Sequence, residues 1–564
     1  MTNSNSNSNP NPPMDFDEIL AKCGNSHRYQ YLLLGLYGFL MVFVSMHYFS
    51  QNVISFVPDH WCYHEQLENR SFDEIAAIYS QFDKPSCTRL ATIDIDGGNA
   101  TISKDRCDRW IYKYDFGFRS MNIELNWVCD DAYKARVGQS LFFIGSMCGT
   151  LVFGLLGDNI GRVKALILAN CCGFLGDFST IFTGSLTAFS ITRFISGLAA
   201  DANSYLMYIL LLEYVSPSLR NVALNTVLGS FYSLGLIGAS WLAVLVGNWR
   251  FFLACSSLPL LLVTLFYFLV QESAQWLVTR DDIDGAIRRL QRVAKINRRV
   301  VSDDDFKAFR SYCQSNYCKS EATAEEEQAK LTDMLKTPRM RCMAFKILLI
   351  FIIVVPAYNT IARNVEGLGI SPFIMFSLNA LMLPPSGYLQ GFLQDVSGRK
   401  LTSVSWMMIT GIFAVAAGLV IAQGQNRSVF LLVGLTLVAR FGVSIADGAS
   451  SQLCTELIPT SVRGRGVGVA HVAGFAASFL SPFIIHLGTY FKPAPSIILG
   501  LLFLAGAYIC LLMPETRNKK LPMTVAEGEK FGIGERMFDF LLEFGKDKET
   551  EVELEAELKD KENA

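Results

Sequence analysis

The sequence predicts an all-α polytopic membrane protein: twelve transmembrane helices in two six-helix halves, with one large loop between the first and second helices. Three observations carry this expectation. Hydrophobic residues make up 51% of the 564 and charged residues only 18%, with a mean hydropathy of +0.30, too apolar for a soluble domain of this size. The apolar residues gather into runs of about 20, the length that crosses about 30 Å of hydrocarbon. Short motifs also recur in order across the two halves.

The runs place spans at about 30–55, 138–157, 165–183, 187–211, 222–246 and 250–270, then at 344–362, 372–393, 401–422, 429–452, 465–489 and 495–513. Residues 1–28, opening MTNSNSNSNPNPP, read as a polar low-complexity tail, and 514–564 as a second tail rich in Glu and Lys. Two six-helix halves, 29–270 and 344–513, then flank a central loop, 271–343. An even span count puts both tails on one side. The central loop holds fourteen Lys and Arg, and short loops on its side add Arg162, Lys164, Arg220, Arg399, Lys400, Arg463 and Arg465. Positive-inside logic makes that side cytosolic. Residues 58–136 then form an extracellular loop. It carries Cys62, Cys87, Cys107 and Cys129, which suggest two disulfides in an oxidising compartment with three possible pairings. It also carries glycosylation acceptors at Asn69 and Asn99.

Residues 154–162 read GLLGDNIGR and 391–399 read GFLQDVSGR, each with Asp at the fifth place and Gly-Arg at the end. TRF at 192–194 answers ARF at 439–441; EYVSPSLR at 213–220 answers ELIPTSVR at 456–463; QES at 271–273 answers PET at 514–516. Four ordered pairs, offset by 237 (154 to 391) to 247 (192 to 439), indicate an internal duplication. Gly lets helices approach at a short turn. Asp158, Arg162, Glu213 and Arg220 in the first copy, and Asp395, Arg399, Glu456 and Arg463 in the second, can form salt bridges that latch and release the cytosolic face.

These motifs resemble those of the major facilitator superfamily. The stretches FDEILAKCG, FVPDHWC, LNWVCDDAYKARVGQS, ESAQWL, ELIPTSVRGRGVGV and PETRNKKLP resemble more narrowly its organic cation, carnitine and organic anion transporter family, over roughly residues 14–525. The resemblance implies the major facilitator fold, alternating access, and carriage of small organic ions across the plasma membrane. Departures include Asn159 where the family has Arg, the neutral Phe475 where cation carriers often have Asp and anion or carnitine carriers Arg, and the neutral Leu383 where cation carriers have Glu. Asp201 falls where some cation carriers have Lys.

No phosphate loop, metal-spaced His/Cys cluster or nucleophile elbow occurs, so neither an enzyme, a cofactor nor direct ATP drive is expected. A net charge of −2 gives no sign of nucleic-acid binding. The expected partners are a small organic ion and the bilayer, with Na⁺ or H⁺ coupling open and a monomer expected. An organic cation or zwitterion carrier leads; an organic anion carrier, a neutral sugar carrier and a non-transporting receptor or scaffold are the alternatives.

Ionisable groups inside spans are expensive and mark a cavity or a partner. By the resemblance, spans 1, 4, 7 and 10 line the cavity. Asp201, Tyr205 and Tyr208 share a face of span 4, and Arg440 and Asp447 lie two turns apart on span 10. Tyr358 in span 7, with His471 and Phe475 in span 11, completes the expected substrate site. Asp177 is expected at the outer rim, and Arg363 is expected to snorkel at the end of span 7.

Overall fold

A backbone inside hydrocarbon must satisfy its own hydrogen bonds, so each apolar run becomes a helix. The computed structural model describes residues 14–538, apart from 81, 83–85, 95–98, 104, 217–226, 317–330, 365–367, 425–427, 520 and 536. Among the described residues, ten helices are long and apolar enough to cross a membrane. Two further helical stretches, spans 3 and 8, complete the twelve.

In the N-terminal half, span 1 is Arg28–Ile54, span 2 Tyr133–Ile160, span 3 Arg162–Thr180, span 4 Leu186–Ala199 with Ala202–Leu212, span 5 Gly229–Val246, and span 6 Trp249–Ser257 continuing to Leu269. In the C-terminal half, span 7 is Pro338–Arg363, span 8 Pro372–Leu381 with Leu383–Ser397, span 9 Arg399–Ala422, span 10 Val429–Leu457, span 11 Arg463–Ser478 continuing to Thr489, and span 12 Ala494–Leu511. Two breaks matter later. Span 4 is interrupted at Ala200–Asp201, and span 8 at Met382, just before Pro384 and Pro385, whose rings cannot donate a helical hydrogen bond.

Each half has its own buried core, one gathered around Leu33, Tyr37, Phe153 and Leu206, the other around Phe351, Met407, Leu453 and Phe503. The outer faces stay apolar, as a surface facing lipid should: Leu155, Phe182, Leu245, Phe268 and Phe430 are exposed. Small residues set the helix spacing. A Cβ on Gly145 or Gly149 of span 2 would strike the carbonyl of Phe194 or Leu198 on span 4. Spans 9 and 12 meet the same way, since a Cβ on Gly500 would lie 2.7 Å from the Gly411 carbonyl.

Residues 58–136 fold over one end of the bundle. Strand His60–Cys62 pairs antiparallel with Trp110–Tyr112, and Leu90–Asp94 with Asn99–Ile102. The disulfides are Cys62–Cys107 and Cys87–Cys129, one of the three pairings the sequence leaves open. The loop is clasped to the N-terminal half by Glu124, which accepts from Trp249 Nε1 at 2.7 Å and Arg250 Nη2 at 2.7 Å. Burial raises the Glu124 carboxyl, but the bonds from Arg250 and Trp249 outweigh it and hold it below the ordinary range. Phe116 and Phe118 reach the C-terminal half, packing with Phe56 around Phe373 at the start of span 8 at 5.4–6.4 Å.

The close approach of spans 2 and 4 makes a test. Gly149→Val forces a backbone that has no room to yield, and overpacking of this kind costs about 1–3 kcal/mol. The variant is expected to melt below the parent in detergent, while Gly184→Ala, with open space around it, melts with the parent.

Candidate functional site

The interior of the bundle holds several charged side chains, in two kinds of setting. The first is fully compensated. Asp177 of span 3 is 0% exposed and accepts three bonds at 2.7 Å each, from His47 Nδ1 of span 1 and from Arg193 Nη2 and Ser196 Oγ of span 4. His47 Nε2 faces the Ser196 carbonyl at 3.2 Å, and Arg193 also donates to Thr180. Asp177 is therefore not a rim residue, as the sequence reading has it. It joins three spans inside one half, about one turn before the end of span 3, and charge burial is tolerated because every carboxylate oxygen is bonded.

The second setting is uncompensated. Asp201 sits at the break in span 4, where its Oδ2 accepts from Ser146 of span 2. No cation lies in salt-bridge range of it among the described residues. Tyr205 and Tyr208 turn into the same half: Tyr205 donates to the Thr150 carbonyl at 3.3 Å, and the Tyr208 ring lies 6.3 Å from Tyr37. Asp447 of span 10 is half-buried and makes no ion pair with Arg440, two turns before it. Arg440 is 1% exposed. It lies 4.5 Å over the Tyr358 ring and donates to the Tyr358 hydroxyl at 3.1 Å, while its Nε and Nη1 have no partner. The structure thus brings Arg440 and Tyr358 together. His471 packs edge-on against Phe351 at 4.9 Å, and Phe475 is half-buried one turn further along span 11.

Arg363 is the other correction. It does not snorkel: it is 5% exposed and lies 4.3 Å over Phe143 of span 2 and 5.5 Å over Tyr48 of span 1. With the Gln51 amide oxygen turned to face it, both terminal nitrogens donate there at 3.0 Å. Its Nε has no partner. Arg363 and Arg440 line neighbouring cavities of about 10 Å³ each, with Phe376 in both walls. Each has room for about one water.

The repeated motifs build two equivalent joints. Gly161 and Gly398 have φ of +102° and +88°, a backbone that favours glycine, and a Cβ at either would meet a carboxylate oxygen, of Glu272 or Glu515. Glu272 accepts the Arg162 and Val163 N–H groups at 2.9 and 3.1 Å. Glu515 accepts those of Arg399 and Lys400 at 3.1 and 2.9 Å. Each carboxylate caps the start of the following span, where the helix dipole favours an anion. Burial pushes the Glu272 carboxyl up against the pull of those bonds. Sequence reasoning missed both capping roles, although the QES/PET pairing was the signal that pointed to them.

Around these joints the expected latch residues pair inside their own halves. Arg162 bridges Asp158 at 2.8 Å and Glu213 at 3.7 Å; Arg399 bridges Glu456 at 3.4 Å; Arg463 Nε donates to the Ile458 carbonyl at 3.1 Å. Asp395 is exposed and makes no ion pair among the described residues. Arg220 lies outside them. Hydrogen bonds between the halves sit nearer the large-loop face: Tyr48 to Asn359 at 2.7 Å, Ser140 to the Phe479 carbonyl at 3.0 Å, and Ser233 to the Ala380 carbonyl at 2.6 Å at mid-depth.

Paired motifs, two helical halves and a charged seam between them describe a carrier, and the family model for sugar (and other) transporters matches residues 111–524. The chain belongs to the major facilitator superfamily. This transporter is 24% identical over 528 residues to the organic cation transporter protein of Drosophila melanogaster, covering 92% of this chain and 95% of that one. It is 28% identical to human solute carrier family 22 member 13 and 25% identical to human organic cation/carnitine transporter 2, covering 91% of this chain and 93% of each relative. Among solved structures it superposes on the D-xylose-proton symporter with a TM-score of 0.56 at 15% identity, over 88% of this chain and all of that one. The inward-open xylose transporter XylE of E. coli gives 0.55 at 14%, over 88% and 99%. It is therefore a multi-pass membrane transporter and not an enzyme.

The buried triad yields the test. Asp177→Asn leaves the Arg193 guanidinium and His47 without their carboxylate, and breaking such a pair costs roughly 3–5 kcal/mol. The purified transporter is expected to melt well below the parent, with the loss unrelieved by substrate. Equal melting would mean that the triad does not hold spans 1, 3 and 4 together.

Proposed function

We propose that this transporter carries small organic zwitterions, and cations with lower preference, across the plasma membrane by alternating access. One observation supports the reading above others. Among the described residues, two guanidiniums, Arg363 and Arg440, are buried at the seam with no carboxylate in salt-bridge range, and two carboxylates, Asp201 and Asp447, lie in the spans beside it with no cation in salt-bridge range. Unpaired charge at this depth costs several kcal/mol. A substrate with an ammonium or quaternary nitrogen and a carboxylate compensates one charge of each sign, as carnitine or a β-amino acid does. Its nitrogen goes to Asp201 or Asp447, and its carboxylate to a guanidinium fork that can bind it with two parallel bonds. Tyr358 and Phe475 supply the aromatic surface a cation favours. A relative named for cation and carnitine transport accords with this choice.

The charges also bear on the alternatives. A sugar carrier has no use for four uncompensated ions. An organic anion carrier uses the two arginines but leaves Asp201 and Asp447 repelling its cargo. In the state described here the halves are bonded toward the large-loop face, while among the described residues the ion pairs of Asp158, Glu213, Arg399 and Glu456 stay within their halves. That is the arrangement expected of a carrier open to the cytosol, with the gating pairs released. Positive-inside logic puts the large loop outside and both tails in the cytosol.

Uptake of a quaternary amine, a carboxylate and a zwitterion of matched size, in cells expressing the chain, tests the reading. The zwitterion is expected to be taken up best. Asp201→Asn is expected to raise the apparent KM for amine and zwitterion about tenfold, equivalent to about 1.4 kcal/mol, with surface expression unchanged. Arg440→Gln is expected to weaken the zwitterion alone. Preference for the simple carboxylate in the parent, or indifference to both substitutions, would sink the proposal. Sidedness has its own check: Asn69 is exposed in a turn of the loop, whereas the Asn99 side chain lies outside the described residues. Glycosidase is expected to lower the apparent mass of the parent and not of a variant with Asn69→Gln and Asn99→Gln; an unshifted parent would put the loop in the cytosol.

A further inference from the structure

A cavity of about 390 Å³ opens beside the N-terminal joint, on the face of the central loop. The start of span 3 gives it Lys164, the end of span 6 gives Tyr267 and Phe268, and the helix Ile283–Ile296 gives Arg289 and Arg292. That helix buries Ile283, Ile287, Leu290 and Val293 in the core of the half and turns Arg288, Arg292 and Lys295 outward. Glu272 is the one carboxylate in the lining, and its oxygens are engaged by the backbone N–H groups of Arg162, Val163 and Ser273. Arg289 donates to Gln271 at 3.0 Å. Lys164 and Arg292 are exposed and make no hydrogen bond or ion pair among the described residues.

The duplication supplies a comparison within the same molecule. The matching place in the C-terminal half, between the start of span 9 and the end of span 12, is a cavity of about 410 Å³ that also holds basic residues, Arg339, Lys346 and Lys400. There the chain engages its own lysines. Lys346 donates to the Leu512 carbonyl at 2.8 Å and Lys400 to the Met537 carbonyl at 3.1 Å. The segment that follows span 12 brings acids: Glu535 pairs with Lys519 at 2.6 Å, and Glu529 accepts the Arg339 and Met340 N–H groups. In the N-terminal half Lys164 and Arg292 make no such bond among the described residues, so two cations there stay open to a ligand.

We propose that the N-terminal cavity binds the phosphate of an anionic lipid headgroup from the adjoining leaflet. Lys164 and Arg292 offer the point charge and the planar fork that phosphate oxygens accept. The cavity lies where span 3 starts and span 6 ends, on the face of the central loop. Tyr267 and Phe268 are 59% and 70% exposed beside it, an aromatic edge suited to the membrane interface and the acyl chains below it. Basic pockets between transmembrane helices on the cytoplasmic side hold such headgroups, and each nearby Lys or Arg adds appreciably to the attraction. A soluble phosphate ester shares this chemistry but makes no use of the aromatic edge.

The experiment measures binding of short-chain phosphatidylinositol bisphosphate to the purified full-length transporter in detergent at low salt. Soluble inositol trisphosphate is the second arm and short-chain phosphatidylcholine the blank. The parent is expected to bind the anionic lipid, with inositol trisphosphate at least tenfold weaker. Removing both free cations, Lys164→Gln with Arg292→Gln, is expected to weaken lipid binding about tenfold or more. Lys113→Gln, which removes one positive charge from the large loop, is expected to leave it unchanged. Both cavity residues are exposed, and gel filtration confirms that each variant is folded before binding is read; Arg292→Gln alone, expected to lose about half the effect on a logarithmic scale, serves if the double variant aggregates. Unchanged binding in the folded cavity variant, or an equal loss with Lys113→Gln, overturns the site. Equal affinity for inositol trisphosphate overturns the lipid as its source.

Discussion

A charge at bilayer depth must find a partner or wait for one, and that constraint organises this transporter. Asp177 shows the first outcome. Its oxygens are filled by His47, Arg193 and Ser196, so spans 1, 3 and 4 are held by charge-assisted bonds in a medium where losing one is costly. The glycines of span 2 reinforce the same frame, because Gly145 and Gly149 admit the backbone of span 4 and admit nothing larger. Polar attachment and close packing act on the same helices. The N-terminal half is therefore stiff where it must be, and its free charges, Asp201 at the break of span 4 among them, are presented by a fixed scaffold.

Stiff halves matter only if the joint between them is soft, and the bonds divide that way. Within each half a buried carboxylate, Glu272 or Glu515, takes the leading N–H groups of a span. Arg162 and Arg399 tie the neighbouring turns. Between halves the bonds from Tyr48, Ser140 and Ser233 are neutral, each worth about 0.5–1.5 kcal/mol net, and one contact is charge-assisted, from Arg363 to the Gln51 amide oxygen. The ring of Phe373 among Phe56, Phe116 and Phe118 is apolar and non-directional. Rocking the halves exchanges these seam contacts, Arg363 included, and leaves the ion pairs within each half intact.

Local signals made most of the fold legible, while long-range ones hid part of the site. Twelve apolar runs, the duplicated GLLGDNIGR and GFLQDVSGR turns and the loop cysteines are all properties of neighbouring residues. Spacing on one helix also identified the face of Arg440 and Asp447. What spacing cannot give is the helix opposite. Asp177 reads as a rim residue until His47, 130 positions earlier, is seen against it. Arg363 reads as a snorkelling end residue until Phe143 and Tyr48 of the other half close over it. Tyr205 and Tyr208 share a face with Asp201 on an ideal helix, yet the break at Ala200–Asp201 and the contacts to Thr150 and Tyr37 turn them inward. The choice among three disulfide pairings likewise depended on which strands meet.

The separation of Arg440 from Asp447 is as informative as any contact. The two lie two turns apart on one helix, in a setting where opposite charges attract far more strongly than in water, and yet they do not pair. Arg440 is held instead by the face and hydroxyl of Tyr358, and Arg363 by Phe143, Tyr48 and an amide oxygen. Aromatic rings and neutral acceptors steady a guanidinium without discharging it. A carboxylate partner would neutralise each arginine and give a substrate carboxylate nothing to gain by displacing it. Neutral support keeps the positive charge available: each arginine retains unbonded N–H groups and lines a cavity that holds about one water. The stabilisation a carboxylate partner would supply within the chain is thus left for the substrate, and it is collected only when the halves part enough to admit one.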